Sequence, residues 1–447
     1  MKRTTDLFDR HVAGQISRRE LMTGAAKLGF GAAATGFFLN QAGTRALAAT
    51  GPDFKKFAGK KISLLLNKHP YTDAMIANLD NFKAMTGLDV SYDVFPEDVY
   101  FDKVTATLSS KSPQYDVFMT GAYQTWQYGP AGWLADMNQY IKNPELTAAA
   151  YNWDDVLPGL RASTAWSGVP GQPLGGDGAK QWAVPWGFEL NSVAYNKRIF
   201  DAGGSRSWAT IHPGYLSGLT NYGGKDFDTT GGKLKAAMNS AEAKDFTKLW
   251  IEMIQKGGPK NWTTYTWYEV GNDLGAGASA MIFDADILGY FQNKGTKEAG
   301  NLAYHPFTAK PGAAAPTPNV WIWSLAMSAF SQQPDAGWYF VQWASGTEHT
   351  TFGATKADLV NPVRQSVWDN ADFHTRLGSY PGYLDQYKAS AAGSKIYFTP
   401  QPLFFNLTTE WAASLQKMYA KEIPVDEGLD QLAEFIDTQL KDAGLAD

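Results

Sequence analysis

Between residues 61 and 121 the sequence changes repeatedly between a strand pattern and a helix pattern, and this alternation restricts the possible folds. Residues 61–66 form a short apolar run, "LDVSYDVF" alternates apolar and polar residues, and "YDVFMTG" is another apolar run, so each predicts a strand. Between the strands, apolar residues recur at the spacing of one helix face: Met75, Leu79 and Phe82, then Phe101, Val104 and Leu108. Strand–helix–strand–helix–strand within about 60 residues favours a parallel, doubly wound sheet.

The same kinds of pattern return in the rest of the chain. "SAMIFDAD" and "VWIWSLAMS" predict strands, "PDAGWYFVQWAS" predicts a helix, and two amphipathic helices end the chain. The 399 residues that follow residue 48 exceed one typical α/β core. We therefore expect two lobes. No long linker separates them, which indicates that the chain crosses between the lobes more than once.

Residues 1–48 have the features of an export signal. "SRRELM" (residues 17–22) resembles the twin-arginine motif, and "ALA" (residues 46–48) is a small-x-small cleavage site. The alternative is a membrane anchor, but such a helix needs roughly 20 strongly apolar residues, and this segment is rich in glycine and contains Lys27. A twin-arginine signal is an address rather than an anchor. We predict cleavage near Ala48 and a soluble protein in the periplasm.

Composition excludes several classes of function. The chain has no cysteine, which excludes disulfides, cysteine nucleophiles, thiolate metal sites and the lipid-modified cysteine of a lipoprotein. Residues 1–48 hold seven Lys or Arg and three Asp or Glu, so their removal changes the net charge from −5 to −9. A mildly acidic protein of this kind lacks the basic footprint of nucleic-acid binding.

Motifs for catalysis, metals and cofactors are also missing. The six histidines form no H-x-x-x-H pair, and there is no P-loop. We therefore expect neither a metal nor a cofactor. A glycosidase is the remaining enzymatic alternative because paired carboxylates have no linear signature. Asp284 and Asp286, at the end of a predicted strand, are one candidate pair, and the alternative is a strand-end loop whose carboxylates accept hydrogen bonds.

The stretch "QWAVPWGFELNSVAYNK" (residues 181–197) combines an apolar strand pattern with rigid, aromatic and polar residues. Pro185 fits the entry of a strand, where a missing N–H is tolerated, but Trp186, Glu189 and Asn191 do not fit a simple core strand. Tryptophan and tyrosine make stiff binding surfaces, and aromatic residues reach 14% of the chain. A simple core strand does not explain this combination.

The order of these segments resembles the family-1 extracellular solute-binding proteins, the maltose-binding-like sugar receptors of ABC importers. "FKAMTGLDVSYDVF" resembles the family's helix, Thr-Gly turn and second strand, and "WAVPWGFELNSVAYNKRIFDAGG" is similar to its crossing segment, the most specific motif. Three later segments also resemble the family: "GAGASAMIFDADILGYF", "NVWIWSLAMSAFSQQPDAGWYFVQWAS" and "VNPVRQS". The usual Pro-x-Thr-Trp after the crossing segment is replaced by "SRSWATIHPGYLSG", so the resemblance does not predict the contacts of residues 203–232.

The resemblance implies an α/β, two-lobed periplasmic-binding-protein fold of type II, in which each lobe is a doubly wound sheet with helices. It assigns residues 49–186 and 304–345 to the N-lobe and residues 187–303 and 346–447 to the C-lobe, with crossing hinge segments between them. The implied function is a monomeric, non-catalytic receptor that closes on a sugar, oligosaccharide or sugar alcohol and delivers it to the permease subunits of an ABC transporter. The alternatives are a receptor for a non-sugar solute, such as a polyamine or metal complex, and a periplasmic glycoside hydrolase.

Ligands of such sheets bind at the loops that follow the strands. Sugar C–H faces stack on aromatic rings, and hydroxyls need directional partners. The candidate ligand-binding residues are Asn67, Lys68, His69, Tyr71, Gly121, Tyr123, Gln124, Trp186, Glu189, Asn191, Tyr265, Trp267, Asp284, Asp286, Trp321, Trp323 and Arg364.

Several candidates have a structural alternative. Trp321 and Trp323 point the same way on a strand, and the alternative for each is the core. His69 also fits an ordinary loop histidine, and Arg364 also fits an interlobe salt bridge. If Arg364, His69 and Lys68 share one cleft, they favour an anionic sugar. Trp126 and Trp133 are expected in the core.

Overall fold

The computed structural model describes residues 52–201, 207–209, 211–312 and 316–446. The predicted signal peptide, residues 1–48, lies outside the described residues. The strands are β1 (Lys61–Asn67), β2 (Asp89–Phe95), β3 (Val117–Gly121), β4 (Ala165–Trp166), β5 (Lys180–Gln181), β6 (Val184–Asn196), β7 (Ser207–Ala209), β8 (Phe227–Asp228), β9 (Lys235–Ala236), β10 (Met281–Ala285), β11 (Leu302–Pro306) and β12 (Val320–Met327).

The α-helices alternate with the strands along much of the chain and form the last two elements that the structure describes. They are α1 (Pro70–Ala77), α2 (Leu79–Thr86), α3 (Glu97–Ser109), α4 (Thr125–Tyr128), α5 (Asn138–Ile141), α6 (Pro158–Ser163), α7 (Lys197–Asp201), α8 (Ser217–Asn221), α9 (Ala241–Gly257), α10 (Trp267–Ala276), α11 (Asp286–Gln292), α12 (Pro334–Ala344), α13 (Thr347–Lys356), α14 (Gln365–Trp368), α15 (Ala371–Leu377), α16 (Tyr383–Ser390), α17 (Phe404–Tyr419) and α18 (Val425–Asp442).

The strand–helix alternation at the start of the sheet is confirmed. β1 pairs in parallel with β2 on one side and with β3 on the other, and α1 to α3 connect these strands. The predicted first helix is two helices, because Asn78 leaves the helical conformation (φ −111°, ψ 4°) between α1 and α2. α2 ends at Gly87, whose φ of 70° favours glycine. The carboxyl ends of β1 and β3 therefore lie at the same edge of the sheet.

β6 joins the two lobes. Its first part, Val184 to Leu190, pairs with β12, and its second part, from Asn191 onward, pairs with β10 and β11. The main sheet has the order β2-β1-β3-β12-β6-β10-β7, with β11 also paired to β6. A strand that changes partners between Leu190 and Asn191 is a crossing segment, so the predicted two-lobed fold is confirmed.

Asn319 connects three distant parts of the chain at this crossing. Its carbonyl accepts a hydrogen bond from the Asn191 N–H at 3.0 Å, and its Oδ1 accepts from the Tyr397 N–H at 2.9 Å. Its backbone also forms an isolated parallel β-bridge with Lys395. The lobes therefore meet at a hydrogen-bonded junction as well as along β6. The exact lobe boundaries given above stay a prediction.

The core positions of the predicted helices are largely as expected. Ala336 and Phe340 of α12, Trp411 and Leu415 of α17, and the apolar face of α18 are buried, and so is Trp126. Trp133 is partly buried and packs on the same core. Within the described ranges, none of the helices has the length and apolar character that crossing a membrane requires.

Candidate functional site

A cleft of ≈ 730 Å³ lies between the lobes, beside β6 and β12. β1 and β3 bring His69, Tyr123 and Gln124 to it from their carboxyl ends, and β10 brings Asp284 from the other lobe. α10 adds Trp267. The cleft thus lies where ligands of open α/β sheets bind.

β6 and β12 form the floor of this cleft. Side chains two residues apart lie on one face of a strand, so Glu189 and Asn191 of β6 share a face, as do Trp321 and Trp323 of β12. Trp321 lies directly opposite Glu189 in the pairing of these strands. All four side chains line the cleft. Trp186 lies where the pairing of β6 with β12 shifts register, and it is fully buried and outside the lining.

The candidates come from six segments of the chain: residues 67–71, 121–124, 186–191, 265–286, 321–323 and 364. The cleft brings together candidates from the first five. Their contact with a ligand stays a prediction. The ten candidates that line it are His69, Tyr123, Gln124, Glu189, Asn191, Tyr265, Trp267, Asp284, Trp321 and Trp323.

Four further candidates lie behind the lining. Asn67 and Tyr71 are buried, as is Trp186, and the Tyr71 hydroxyl donates to the Phe188 carbonyl at 3.0 Å. Gly121 has a packing role: an added Cβ would lie 2.3 Å from Gln124 Oε1 and 2.5 Å from Trp321 Cζ2. These residues therefore support the cleft from behind.

The remaining three candidates have partners outside the cleft. Lys68 is exposed and pairs with Asp73 at 2.7 Å. Asp286 is buried and accepts hydrogen bonds from the Leu190 N–H at 3.0 Å and from Asn361 Nδ2 at 2.9 Å. Asp284 and Asp286 consequently do not face one common ligand.

Arg364 is fully buried and held by the residues around it. Its Nε donates to the Ser345 carbonyl at 2.6 Å, and its Nη1 donates to the Asn152 carbonyl at 3.0 Å and lies 3.3 Å from Asp155 Oδ2. Neither Lys68 nor Arg364 lines the cleft. The arrangement that would have favoured an anionic sugar, with both cations in the cleft, is therefore not present.

Glu189 lies at the centre of the polar part of the cleft. Its Oε1 accepts a hydrogen bond from Trp323 Nε1 at 2.8 Å and is 3.6 Å from His69 Nε2. Burial raises the pKa of Glu189 to about 7, and the Trp323 hydrogen bond opposes that rise. Burial thus favours the protonated form of this side chain more than in an exposed glutamate.

His69 is neutral at neutral pH because burial lowers its pKa to about 4, although Glu97 and Asp73 oppose the shift. It precedes α1, and its Nδ1 accepts from the Tyr71 N–H at 3.2 Å. In this tautomer the proton is on Nε2, which faces Glu189. His69 thus offers the cleft a neutral N–H donor.

Glu97, which sequence reasoning missed, lies on the other side of the cleft. It begins α3, and its Oε2 accepts from Trp267 Nε1 at 3.1 Å, so a carboxylate of one lobe contacts an indole of the other. Burial, and then the charge of Glu189, raises the pKa of Glu97. An acidic residue in a first helical turn normally interacts with the helix dipole. Nothing in the sequence therefore distinguishes Glu97 from an ordinary residue at the start of a helix.

The aromatic side chains form a wall with two orientations. The rings of Trp321 and Trp323 are 5.3 Å apart at 73°. Phe101 is parallel to Trp323 at 6.0 Å, and Tyr123 packs edge-on against Trp321 at 5.0 Å. Such a wall can contact the C–H groups of a small ligand from two directions.

Several buried polar atoms of the lining have no hydrogen-bond partner among the described residues. They are the donors Asn191 Nδ2, Trp250 Nε1, Trp262 Nε1 and Trp321 Nε1, and the acceptor Gln124 Oε1. Buried polar groups are nearly always hydrogen-bonded. The cleft therefore has donors and an acceptor that a polar ligand can satisfy.

One wall of the cleft comes from α17, which sequence reasoning treated only as an amphipathic helix, and from α9, which it did not single out. α9 contributes Trp250 and Ile254, and α17 contributes Phe405, Asn406 and Leu415. Helical periodicity shows which face is buried but not what covers it, so no signal in the sequence points to this wall. Within the described ranges, there is no cluster of three or more His, Asp or Glu that could hold a metal ion.

Residues 68–351 match the family described as bacterial extracellular solute-binding protein. The erythritol/L-threitol-binding protein of Mycolicibacterium smegmatis is 39% identical over 403 residues, which cover 83% of this chain and 84% of that protein.

Solved structures of two ABC transporter solute-binding proteins have a similar fold. The protein of Agrobacterium radiobacter K84 in complex with ribitol has a TM-score of 0.71 at 18% identity, over 84% of this chain and 98% of that one. The protein of Agrobacterium vitis S4 with bound D-mannitol has a TM-score of 0.69 at 21% identity, over 87% of this chain and 100% of that one.

Proposed function

The chain belongs to the bacterial extracellular solute-binding protein family, and from this premise we propose that it is the exported, non-catalytic receptor of an ABC importer for a sugar or sugar alcohol. Short acyclic sugar alcohols are the ligand class that we favour. The relative with 39% identity is named for erythritol and L-threitol, and the two solved structures hold ribitol and D-mannitol.

The observation that carries this proposal is the combination of an aromatic wall with unpaired polar atoms in one cleft. Each hydroxyl of a sugar alcohol donates one hydrogen bond and accepts others. Glu189 and Glu97 are suitable acceptors, while Asn191 Nδ2 and Trp321 Nε1 are donors without partners among the described residues. The aliphatic side of the ligand would lie against Trp321 and Trp323.

Closure of the lobes is the proposed mechanism. A ligand shifts an open–closed equilibrium only through contacts that differ between the two states. Trp323 and His69 belong to the sheet of β1, β3 and β12, whereas Trp267 and Asp284 lie on α10 and β10 across the cleft. A ligand that touches both sets stabilises the closed form, which the permease subunits of the transporter would then recognise. We propose a periplasmic monomer that releases its ligand unchanged.

A thermal-shift screen of the purified protein tests this function. Erythritol, L-threitol, ribitol and D-mannitol are compared with maltose, spermidine and a chromogenic glycoside. Ligand at about 100 times its Kd adds roughly 2.7 kcal/mol to the free energy of unfolding, so at least one sugar alcohol or sugar should raise Tm. Stabilisation by spermidine alone, or hydrolysis of the glycoside, would refute the proposal.

A further inference from the structure

The cleft lining is acidic. Glu97, Asp102 and Glu189 contribute carboxyl groups, and no lysine or arginine is among the described residues that line it. The one histidine in the lining, His69, carries no charge at neutral pH because burial lowers its pKa to about 4. A ligand in this cleft therefore meets negative charge without a compensating cation from these residues.

Two basic residues that lie next to the lining in sequence have other partners. Lys68 pairs with Asp73 at 2.7 Å. Lys103, on α3 between two lining residues, lies over the ring of Phe95 at 4.9 Å from its centroid. Neither can neutralise an anionic ligand without breaking its present contact.

Two of the carboxylates are held in fixed positions by indole N–H groups. Trp323 Nε1 donates to Glu189 Oε1, and Trp267 Nε1 donates to Glu97 Oε2. The second oxygen of each carboxylate accepts no hydrogen bond from the described residues. It is therefore available to a ligand hydroxyl or ammonium group, both of which donate, but not to a ligand carboxylate, which only accepts.

We propose that the cleft selects its ligand by charge, accepting uncharged sugar alcohols and their amino-substituted analogues and rejecting the corresponding sugar acids, with Glu189 and Glu97 as the residues that determine this selectivity. The inference rests on the proposed function and specifies its substrate class. Like charges placed together at an interface cost several kcal/mol, so a sugar acid should bind at least ~100-fold more weakly than the matching sugar alcohol.

Calorimetric titration of the purified protein at pH 8 tests the selectivity without any mutation. The ligands are two matched sets: erythritol with its aldonate and its 1-amino-1-deoxy analogue, and D-mannitol with its aldonate and its 1-amino-1-deoxy analogue. We expect the sugar alcohol of at least one set and its amine to bind, and the aldonate of that set to bind at least ~100-fold more weakly. An aldonate that binds as tightly as its sugar alcohol overturns the inference while leaving the receptor function intact.

Failure of the proposed function gives a different result. If no sugar alcohol or sugar of any charge binds, the receptor function itself is refuted. The two outcomes differ in the titrations. If the receptor function is wrong, none of the ligands gives a binding signal, whereas if only the charge inference is wrong, the aldonate binds.

Variants assign the selectivity to residues. Glu189→Gln and Glu97→Gln each remove one charge and keep the side-chain shape, so each should reduce the difference in Kd between sugar alcohol and aldonate by at least ~10-fold. Glu422→Gln is the matched control, since Glu422 is exposed and does not line the cleft. An unchanged ratio of Kd values in both cleft variants, with melting curves showing that both are folded, contradicts the assignment. Should a variant not fold, the comparison in the unmutated protein still decides the charge selectivity.

Discussion

At the scale of one residue, Glu189 is placed where it can bind a ligand, and its burial lowers the stability of the unliganded protein. Its side chain is only 14% exposed, and one indole N–H is the hydrogen bond that it accepts from the described residues. Burial of a carboxylate disfavours its charged form. A residue that destabilises the unliganded fold in this way is expected where a ligand supplies the missing hydrogen bonds.

The first prediction is that Glu189→Gln makes the unliganded protein more stable at pH 8. The pKa of Glu189 is about 7 in the folded protein, against an ordinary value of 4.5, so the folded state binds more protons and stability falls as pH rises between these values. The variant should therefore gain up to about 3 kcal/mol at pH 8 and much less at pH 5.

Urea unfolding of both proteins at pH 5 and pH 8 measures this difference. The pKa of buried Asp286 is also raised to about 7, and its contribution should largely cancel because Asp286 is present in both proteins. A gain that is the same at both pH values would show that charge burial at Glu189 is not its cause.

The second prediction is that substitutions of Arg364 lower the stability of the protein but leave its affinity for the ligand unchanged. Arg364→Ala leaves Asp155, a carboxylate with a side chain only 10% exposed, without its charged partner, and breaking a buried ion pair costs about 3–5 kcal/mol. Arg364→Lys keeps the charge but cannot reproduce the forked contacts, so it should also be destabilised.

Ligand titration of the same two variants completes this test. Because Arg364 does not line the cleft, the folded fraction of each variant should bind with an unchanged Kd. A large loss of affinity in folded Arg364→Lys would mean that the guanidinium acts on the ligand after all.

At the scale of the secondary-structure elements, β6 connects the hinge to the cleft through Asn191. The Oδ1 of Asn191 accepts from Asn319 Nδ2 at 2.6 Å and from Ser217 Oγ at 2.8 Å, which fixes the amide. Its Nδ2 has no partner among the described residues. Asn191 therefore can link a ligand hydroxyl to the junction between the lobes.

The third prediction concerns this amide. Asn191→Asp keeps an oxygen for Asn319 and Ser217 but removes the donor that faces the cleft, so ligand affinity should fall at least ~10-fold by calorimetry. Ser217→Ala, which removes one support and keeps the donor, should have a smaller effect. Equal affinities in Asn191→Asp and the unmutated protein would exclude Asn191 from ligand recognition.

The end of β3 gives the fourth prediction. In Gly121→Ala the new methyl group would overlap Gln124 Oε1 and Trp321 Cζ2, so both side chains must move. We expect a loss of about 1–3 kcal/mol in stability and weaker ligand binding.

Gly271→Ala on α10 is the matched control for Gly121→Ala. Its Cβ would meet only ordinary contacts at 3.6–3.7 Å, and alanine in a helix is roughly 0.5–1 kcal/mol better than glycine. The control should therefore be neutral or stabilised. Retained ligand affinity in Gly121→Ala would show that the floor of the cleft tolerates displacement.

The sequence was most informative about elements whose pattern repeats along the chain. The strand–helix alternation around β1 to β3 predicted the parallel sheet, and the resemblance to the solute-binding family identified β6 as a crossing strand. Trp186 was a ligand-binding candidate beside Glu189 and Asn191, but it is buried outside the lining, where the pairing of β6 with β12 shifts register. Long side chains were harder to place: Arg364 follows a strand-like segment, but its guanidinium reaches into the protein to Asn152 and Ser345, which no local pattern indicates.

At the scale of the whole molecule, two of the contacts between the lobes bear directly on the cleft. One is the junction around Asn319, and the other is the hydrogen bond between Trp267 and Glu97 across the mouth of the cleft. Chain length and the order of motifs predicted two lobes, but not this contact, because it depends on how two helices distant in sequence face each other. Export of the chain was inferred from residues 1–48, and that inference stays a prediction.

Isothermal titration calorimetry tests the central claim, that this cleft binds a sugar alcohol or small sugar without transforming it. Erythritol, L-threitol, ribitol, D-mannitol and maltose are titrated into the purified protein, and the ligand is recovered afterwards. We predict saturable one-to-one binding of at least one of them, unchanged ligand on recovery, and affinity at least ~10-fold weaker in Trp323→Ala, which loses both aromatic contact and a hydrogen bond to Glu189. No heat with any of these ligands, a chemically altered ligand, or full affinity in Trp323→Ala would contradict the account.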